Sequence, residues 1–339
     1  MLPQVWRAGH WFQRSGIQNP EGGVARYYRV DLERNHAVST EITGYAASTF
    51  IVLNMPESAR SAARFLTAAW NAAAGAMPFE IDPPQFTYFF DCGIVVRGLI
   101  AVWRRTGSDD LLNCARAIGD SMARDFLAAD GSFHPVLTLP GKCPVERDPA
   151  RWSRSPGCYQ LKAGMAWWDL FAATGDIGYV RLYERIRKQA FATAGDFLPG
   201  HADPRKVVDR LHAYLYFLEG LLPTPCAELV EGIARVAGLV RKLAPEFERS
   251  DVYAQLLRVR LFADAVRIAR LDRTAAQWEA GRLLEFAAVS DDPRVDGGFY
   301  FGRTAGRWEP YINPVSTAFA LQALALWSGG IPEDRSQLI

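Results

Sequence analysis

The feature that most constrains this fold is a repeated pair of helical segments, one apolar and one amphipathic, joined by a short turn. The pattern is clearest in DCGIVVRGLIAVWRRTGSDDLLNCARAIGDSMARDF. Here Asp91 has the character of an N-cap, Gly107 that of a helix stop, and Asp109 or Asp110 can begin the next helix. YQLKAGMAWWDLFAATGDIGYVRLYERIRKQAF repeats the arrangement, with Gly175 in the place of Gly107. Two helices joined in this way form an αα-hairpin.

The same template recurs along the chain. The paired segments cover about 41–70, 91–133, 159–197, 211–243 and 251–288, a last apolar helix runs from Asn313 to Trp327, and a lone helix runs from Pro3 to Arg14. The first helix of each pair is apolar on nearly every side, which indicates full burial, whereas the second is amphipathic and should face water. Short loops rich in glycine and aromatic residues, such as VDGGFYF, separate the pairs.

These pairs predict an all-α fold, an (α/α)6 toroid or six-hairpin barrel, as a single domain over residues 1–339. An open α-solenoid is the alternative. The last apolar helix has no partner after it, so the N-terminal helix is expected to close the ring by pairing with it. The closed ring is favoured over the open solenoid because it gives both of these unpaired helices a partner.

Composition narrows the functional class. The net charge is +1 and no Lys/Arg run is present, so nucleic acid is not an expected partner. Five scattered cysteines, none in CxxC, argue against a disulfide framework and a structural zinc site. No apolar run approaches the roughly 18 residues of a membrane span, and the first residues lack the apolar core of a signal peptide. We therefore expect a cytoplasmic protein without a membrane span, and the oligomeric state stays open.

Polar side chains recur on the predicted inner helices at i, i+4, i+7 spacing. The three sets are Glu41, Tyr45 and Ser48; His212, Tyr216 and Glu219; and Asp251, Gln255 and Arg258. A buried polar group without a partner costs on the order of 1–3 kcal/mol, so such sets are tolerable when they face a shared cavity. Successive inner helices of a toroid run parallel. The polar ends are therefore expected to meet at one mouth of the barrel.

Each of these residues also has an ordinary structural interpretation. Asp91 and Asp251 can be N-caps, each worth about 1 kcal/mol. Glu41 can bind the amides of its own helix start, and His212 can be a satisfied core histidine. Arg258 can be an ion-pair partner of Asp251 or Glu219 rather than a substrate anchor.

The arrangement resembles the six-hairpin glycosidase and N-acylglucosamine 2-epimerase type of toroid. More closely, EITGYAAST, FDCG, RSDVYAQLLR and DGGFYF with YINPVSTAFALQAL resemble uncharacterised bacterial proteins associated with exopolysaccharide synthesis. The resemblance covers most of the chain. It implies a carbohydrate ligand, and the epimerase-type toroids use histidines of the inner helices. His212 is the histidine of this chain that lies on a clear inner helix.

The predicted function is that of a glycoside hydrolase, lyase or epimerase acting on a bacterial polysaccharide or oligosaccharide. An anionic glycan is preferred, because helix N-termini and arginines favour anions. The alternatives are a non-catalytic glycan-binding toroid and, less favoured, a terpenoid cyclase, for which no DDxxD motif is present. No cofactor or metal is expected. The candidate catalytic residues are Glu41, Asp91, His212 and Asp251, and the candidate binding residues are Tyr45, Tyr216, Glu219, Gln255, Arg258, Tyr311 and Asn313.

Overall fold

The computed structural model describes residues 2–73, 75–148, 151–244, 246–329 and 338–339, and most of their regular structure is α-helix. The helices are α1 (Pro3–Arg14), α2 (Thr40–Val52), α3 (Pro56–Ala72), α4 (Phe89–Thr106), α5 (Asp109–Asp125), α6 (Gln160–Thr174), α7 (Ile177–Phe197), α8 (Pro204–Gly220), α9 (Ala227–Leu243), α10 (Ser250–Ala265), α11 (Arg273–Leu284) and α12 (Pro314–Gly329). The strands are β1 (Tyr28–Arg29), β2 (Arg34–Asn35), β3 (Phe86–Tyr88), β4 (Val136–Thr138), β5 (Phe247–Arg249), β6 (Gly302–Thr304), β7 (Arg307–Trp308) and β8 (Tyr311–Ile312).

The chain divides into two compact units. Unit 1 comprises residues 1–18, 26–36 and 196–339, and unit 2 comprises residues 19–25 and 37–195. The expectation of a single domain in which α1 closes the ring stays a prediction.

Unit 2 contains two of the expected αα-hairpins, α2 with α3 and α4 with α5, and its inner helices form a row in which α4 packs against both α2 and α6. Gly107 and Gly175 follow α4 and α6 with φ of +69° and +75°, the left-handed conformation in which glycine carries no Cβ penalty. Both predicted stops are confirmed. Strands β3 and β4 pair antiparallel beside the start of α4.

Unit 1 follows the same plan. The inner helix α10 packs against α8 and α12, each of α8 and α10 packs against its own outer helix, and α12 also contacts α1. Helix α1 has the bounds that the sequence predicts. Helix α9 is amphipathic, as expected for the second helix of a pair, and Leu229, Ile233, Val236 and Val240 are buried along one side of it. Two small antiparallel sheets, β2–β1–β8 and β5–β6–β7, connect the helix ends.

The predicted helix starts are the part of the fold that the structure corrects. Helix α4 begins at Phe89 with Tyr88 at the cap position, so Asp91 lies in the first turn and is not an N-cap. Helix α10 begins at Ser250, one residue before Asp251. The cause is the same in both cases, because a short strand runs directly into the helix and sets its first residue. Helix α8 begins at Pro204, well before the expected start near Leu211.

The missed start of α8 has a clear local cause. The side chain of Asp203 accepts a hydrogen bond from the Arg205 amide at 3.0 Å, and Pro204 occupies the first helical position. Aspartate followed by proline is a strong helix-start signal. In this segment it precedes the apolar run, from which the start near Leu211 was predicted.

Candidate functional site

The polar cluster around His212 joins two inner helices of unit 1. His212 projects from α8, and Asp251 and Gln255 project from α10. The Nδ1 atom of His212 lies 2.7 Å from Oε1 of Gln255 and 3.4 Å from Oδ2 of Asp251. All three side chains are buried. Helical spacing predicted His212 on one polar helix face and Asp251 with Gln255 on another, and the structure brings these three residues together.

Arg249 also holds the Asp251 carboxylate. Its Nε and Nη2 atoms donate to Oδ1 and Oδ2 of Asp251 at 3.0 and 2.6 Å, and its Nη1 donates to Asp209. Burial by itself would raise the pKa of Asp251, but the Arg249 charge, the charge of His212 once it is protonated at low pH, and the Arg249 hydrogen bonds hold that pKa below its ordinary value. Asp251 is therefore a carboxylate at neutral pH.

The His212 imidazole is neutral at the same pH. Burial lowers its pKa to about 4, an effect that the nearby Asp251 charge only partly offsets. Nδ1 faces two oxygen acceptors, so Nδ1 carries the proton and Nε2 carries the lone pair. A neutral imidazole whose Nε2 can take a proton, with a carboxylate beside Nδ1, is the arrangement of a general base.

Aromatic rings surround this cluster within unit 1. Tyr216 contacts the His212 ring edge-to-face, with centroids 4.4 Å apart. The Arg249 guanidinium lies over the Phe301 ring at 4.5 Å, and Phe301 stacks on Tyr311 with centroids 5.1 Å apart. Burial raises the pKa of Tyr311 to about 12, so its phenol stays protonated. Tyr216 and Tyr311, both candidate binding residues, thus lie near the His212 cluster.

Glu219 and Arg258 form a separate, fully buried ion pair. Nη2 of Arg258 donates to Oε1 of Glu219, and Nη1 donates to Oε1 of Gln322 at 3.0 Å. The guanidinium also lies over the Phe319 ring at 3.8 Å. The structure therefore supports the alternative in which Arg258 pairs with Glu219. A direct binding role for either residue stays a prediction.

Asn313, the last candidate of unit 1, caps α12. Its Oδ1 accepts hydrogen bonds from the backbone amides of Val315 and Ser316 at 2.8 and 3.1 Å. An asparagine at this position satisfies two amides that have no partner within the helix. Capping occupies the carbonyl end of the side chain, so a contact to substrate would have to use its amide nitrogen.

The remaining candidates belong to unit 2. Glu41 lies half-buried in the first turn of α2, and Tyr45 is buried one turn further along. Asp91 is buried in the first turn of α4. Their catalytic and binding roles stay predictions.

Three residues of these clusters were missed by the sequence analysis: Arg249, Asp209 and Gln322. Arg249 stands two residues before Asp251, outside the i, i+4, i+7 pattern that was searched. Its position just before a polar inner helix could have marked it. Gln322 lies in an otherwise apolar helix, where a buried amide is itself a signal. No group of three or more His, Cys, Asp or Glu side chains suited to a metal occurs among the described residues.

Comparisons with known proteins bear on the fold. No protein-family profile and no curated protein matches the sequence. Among solved structures, the chain is similar to cellobiose 2-epimerase from Spirochaeta thermophila, with a TM-score of 0.69 and 14% identity over 94% of this chain and 95% of that one. It is similar to a D-mannose isomerase, with a TM-score of 0.67 and 10% identity over 94% of each chain.

A third similar structure is a family 76 glycoside hydrolase from a bovine Bacteroides thetaiotaomicron strain, with a TM-score of 0.63 and 12% identity over 97% of this chain and 78% of that one. These likenesses confirm the predicted all-α fold class, the (α/α)6 toroid, and the resemblance to the six-hairpin glycosidase and epimerase superfamily at the level of fold. No helix in the described part of the chain is long and apolar enough to cross a membrane.

Proposed function

We propose that this protein is a carbohydrate-active enzyme that moves a proton at a sugar carbon, as an epimerase, isomerase or lyase does. The observation that carries the proposal is the His212 imidazole, buried and neutral, with Nδ1 fixed by Gln255 and Asp251. The solved structures of similar fold include a cellobiose 2-epimerase and a mannose isomerase, whose substrates are sugars. The expected substrate is a bacterial polysaccharide or one of its oligosaccharide units.

The chemistry follows from the charges. A carbon-bound proton next to a sugar carbonyl is acidic enough for a positioned base to remove. His212 accepts that proton at Nε2 and becomes an imidazolium, while the C–H electron pair moves towards the carbonyl oxygen and gives an enediolate. Return of a proton to carbon then gives the epimer or ketose. The Asp251 carboxylate, 3.4 Å from Nδ1, stabilises the positive charge that forms. Arg249 keeps Asp251 ionised and in position through its two hydrogen bonds.

Glycoside hydrolysis receives less support from this cluster. Hydrolysis needs one protonated carboxylic acid and one carboxylate. Asp251 is held ionised by Arg249, and both of its oxygens accept hydrogen bonds from that residue. Asp251 is therefore a poor proton donor. The geometry of the cluster supports proton abstraction by His212 better than it supports hydrolysis.

A reducing compartment such as the cytoplasm is part of the proposal. The five cysteines are free thiols, and three of them, Cys92, Cys114 and Cys158, are buried. Burial raises the pKa of Cys92 to about 12 and that of Cys114 to about 11, so both thiols stay protonated and unreactive. None of these cysteines needs to be oxidised to a disulfide for the chain to fold in this way.

The proposal is tested by solvent exchange. The purified protein is incubated in D2O with a panel of neutral aldoses, cellobiose-type disaccharides and uronate-containing oligosaccharides, and carbon-bound deuterium is followed by NMR. For an epimerase or isomerase we expect deuterium next to the anomeric carbon of at least one sugar, with an epimer or ketose as product; for a lyase we expect an unsaturated product from a uronate-containing oligosaccharide. His212→Asn should lose about 100-fold or more of this exchange. His201→Asn, at an exposed histidine of the same unit, is the matched control.

Three outcomes contradict the proposal. Full exchange in His212→Asn removes His212 as the base. Sugar binding by calorimetry without exchange or turnover in the wild type supports the non-catalytic glycan-binding toroid instead. Release of a reducing end without carbon-bound deuterium supports hydrolysis, and Glu41, Asp91 and Glu219 then become the carboxylates to examine.

A further inference from the structure

Two buried hydrogen-bond donors near the starts of inner helices have no partner in the described part of the chain. They are Nε2 of Gln255 on α10 and Oγ of Ser316 on α12. Both side chains are completely buried, with 0% exposure. Buried polar groups in native proteins are nearly always paired, so an unpaired donor in the interior needs an explanation. Two such donors on neighbouring helices point to a ligand that accepts hydrogen bonds.

The Gln255 amide is oriented by His212. Oε1 of Gln255 lies 2.7 Å from Nδ1 of His212, and Oδ2 of Asp251 lies 3.4 Å from the same nitrogen. Because Nδ1 meets a carboxylate oxygen there, it carries a proton, and the amide must turn its oxygen towards it. The Nε2 atom of Gln255 therefore faces away from Nδ1, and its N–H groups find no acceptor among the described residues.

The Ser316 hydroxyl is likewise not used by its own helix. Serine and threonine hydroxyls within helices can donate to the carbonyl oxygen four residues earlier. The next residue, Thr317, does so, with its Oγ1 2.9 Å from the Asn313 carbonyl oxygen. Oγ of Ser316 makes no such bond in the described part of the chain.

Helices α10 and α12 pack against each other and run in the same direction. The reason is that both helix starts are tied to one short segment. At the start of α10, the amide of Ser250 donates to the Phe301 carbonyl oxygen at 2.9 Å, and its Oγ donates to the Tyr300 carbonyl oxygen at 2.7 Å. Just before α12, the Tyr311 carbonyl oxygen accepts a hydrogen bond from the Phe301 amide at 3.2 Å. The first turns of the two helices therefore lie side by side.

The register of these two helices places the unpaired donors opposite each other. Further along both helices, the Arg258 guanidinium lies over the Phe319 ring at 3.8 Å. Gln255 stands three residues before Arg258, and Ser316 stands three residues before Phe319. Residues three apart share a helix face and are separated by about one turn. Gln255 and Ser316 thus face each other one turn nearer the helix starts than this contact, at the end of the helices where Gln255 contacts His212.

We infer that Nε2 of Gln255 and the Ser316 hydroxyl together bind the carbonyl oxygen of the sugar and stabilise the negative charge that develops on it. The inference rests on the proposed function, in which His212 takes a carbon-bound proton and the electron pair moves to that oxygen. Donors that are held in place before the reaction stabilise an oxyanion without reorganisation. The Gln255 amide then acts at both ends, because its Oε1 orients the base and its Nε2 holds the oxygen of the enediolate.

The charges of the cluster indicate which substrate class suits this donor pair. Arg249 carries one positive charge and binds two carboxylates, Asp251 and Asp209, so the cluster is negative before a substrate enters. Proton transfer to His212 forms one positive and one negative charge together and leaves the total unchanged. A uronate carboxylate, which a lyase would have to hold here, is negative from the start and would add to the charge. The inferred ligand is therefore the neutral carbonyl end of an open-chain aldose or of an oligosaccharide.

A stability measurement first decides whether the Ser316 hydroxyl has a structural role. Ser316→Ala should leave the urea midpoint unchanged or raise it, because it breaks no hydrogen bond and removes a buried polar group that lacks one. Ser250→Ala is the matched control, since Ser250 is equally buried at the start of α10 and its Oγ donates to Tyr300. That variant should lower the midpoint. A fall in Ser316→Ala as large as that in Ser250→Ala overturns the inference.

Turnover then tests the role of the donors in the reaction. Deuterium incorporation in D2O is measured as a function of the concentration of D-mannose, D-glucose and cellobiose. Ser316→Ala should lower kcat about 100-fold or more and change KM by no more than a few-fold, because the donor acts mainly on the charged intermediate. Gln255→Glu keeps an oxygen acceptor for Nδ1 of His212 and removes the N–H donors, so its kcat should fall by a similar factor. Ser328→Ala, at the exposed end of α12, should leave both constants unchanged.

The outcomes separate this inference from the proposed function. Wild-type exchange that Ser316→Ala and Gln255→Glu retain within about three-fold overturns the donor pair and leaves His212 as the proposed base. Absence of wild-type exchange with every sugar overturns the proposed function, and the donor pair as an oxyanion site with it. An unsaturated product from a uronate-containing oligosaccharide shows a lyase and overturns the assignment to a neutral carbonyl.

Discussion

At the residue scale, the character of the candidate site comes from burial of the His212 imidazole. Its Nδ1 atom faces two hydrogen-bond acceptors, Oε1 of Gln255 and Oδ2 of Asp251. Burial keeps the ring neutral, and the acceptors fix which nitrogen carries the proton. A surface histidine would populate both of its neutral tautomers and would be partly charged near its ordinary pKa of about 6.5. The structure thus replaces a mixture of states by one neutral tautomer, with its lone pair on Nε2.

The lowered pKa of His212 predicts a pH-dependent stability. The unfolded chain binds a proton at His212 below about pH 6.5, whereas the folded chain binds it only near pH 4. The unfolding free energy therefore falls as the pH drops from 6.5 to 4, by up to about 3 kcal/mol from this group. Urea titrations at several pH values should show a smaller fall for His212→Gln than for the wild type or His201→Gln. Equal falls in all three proteins would contradict the assignment.

Glu219 and Arg258 predict a second residue-scale effect, on stability alone. Glu219→Leu or Arg258→Met leaves one charge buried without its main partner, and each should cost about 3–5 kcal/mol of unfolding free energy. Replacing both, as Glu219→Leu with Arg258→Met, should recover most of that loss because no charge is then buried. Urea unfolding of the four proteins gives the cycle. Additive losses in the double variant would show that the two side chains do not act as a pair.

Much of the His212 cluster could be predicted from local spacing, and its connections could not. The i, i+4, i+7 pattern placed His212 and Gln255 on buried helix faces, which the structure bears out. The pattern carries no information on which helix lies opposite. For that reason Arg258 had two candidate partners in the sequence, and the structure shows that Glu219 is one of its partners.

At the element scale, glycine on the inner helices of unit 2 allows their close approach. A Cβ placed on Gly98 would lie 2.5 Å from the carbonyl oxygen of Gly44, and one on Gly93 would lie 2.5 Å from the Cα of Ala163. These contacts join α4 to α2 and to α6. The inner row of this unit therefore depends on positions where even one methyl group meets backbone.

Substitution of these glycines separates packing from helix propensity. Gly93→Ala gains helix propensity but forces α4 away from α6, and it should lower the unfolding free energy by about 1–3 kcal/mol. Gly238→Ala, on the outer helix α9 with nothing within 4 Å of the new methyl group, should instead raise it by about 0.5–1 kcal/mol. Thermal melts of both variants check the contrast. Stabilisation by Gly93→Ala would show that the inner helices tolerate separation.

At this scale, the sequence predicted which segments form helices better than it predicted the residue at which each helix begins. Apolar periodicity gave α1 and the buried stripe of α9 correctly, because each helix faces one core. Asp91 was taken for a cap because aspartate often is one. The start of α4 is instead set by the antiparallel pairing of β3 with β4, in which Tyr88 lies opposite Val136. Such pairing joins residues far apart in the chain, so local sequence does not reveal it.

At the scale of the whole molecule, the fold class followed from counting repeated helix pairs, while the chemistry did not follow from the fold class. Solved structures of similar fold include an epimerase, an isomerase and a glycoside hydrolase, which run different reactions. Function therefore depends on the particular side chains that this chain places on its inner helices. For Glu41 and Asp91, the predicted catalytic roles are best tested by measuring the turnover of variants.

Amide variants of these two residues provide that decision. Glu41→Gln and Asp91→Asn keep the size of each side chain and remove its charge, so a catalytic carboxylate should lose about 100-fold or more of turnover while sugar affinity stays within a few-fold. Glu57→Gln and Asp109→Asn are matched controls, since both are exposed in the first turns of outer helices α3 and α5. Rates come from the deuterium-exchange assay and affinities from calorimetry. If affinity falls with turnover retained in the bound state, Glu41 and Asp91 bind the sugar and do not act in the chemical step.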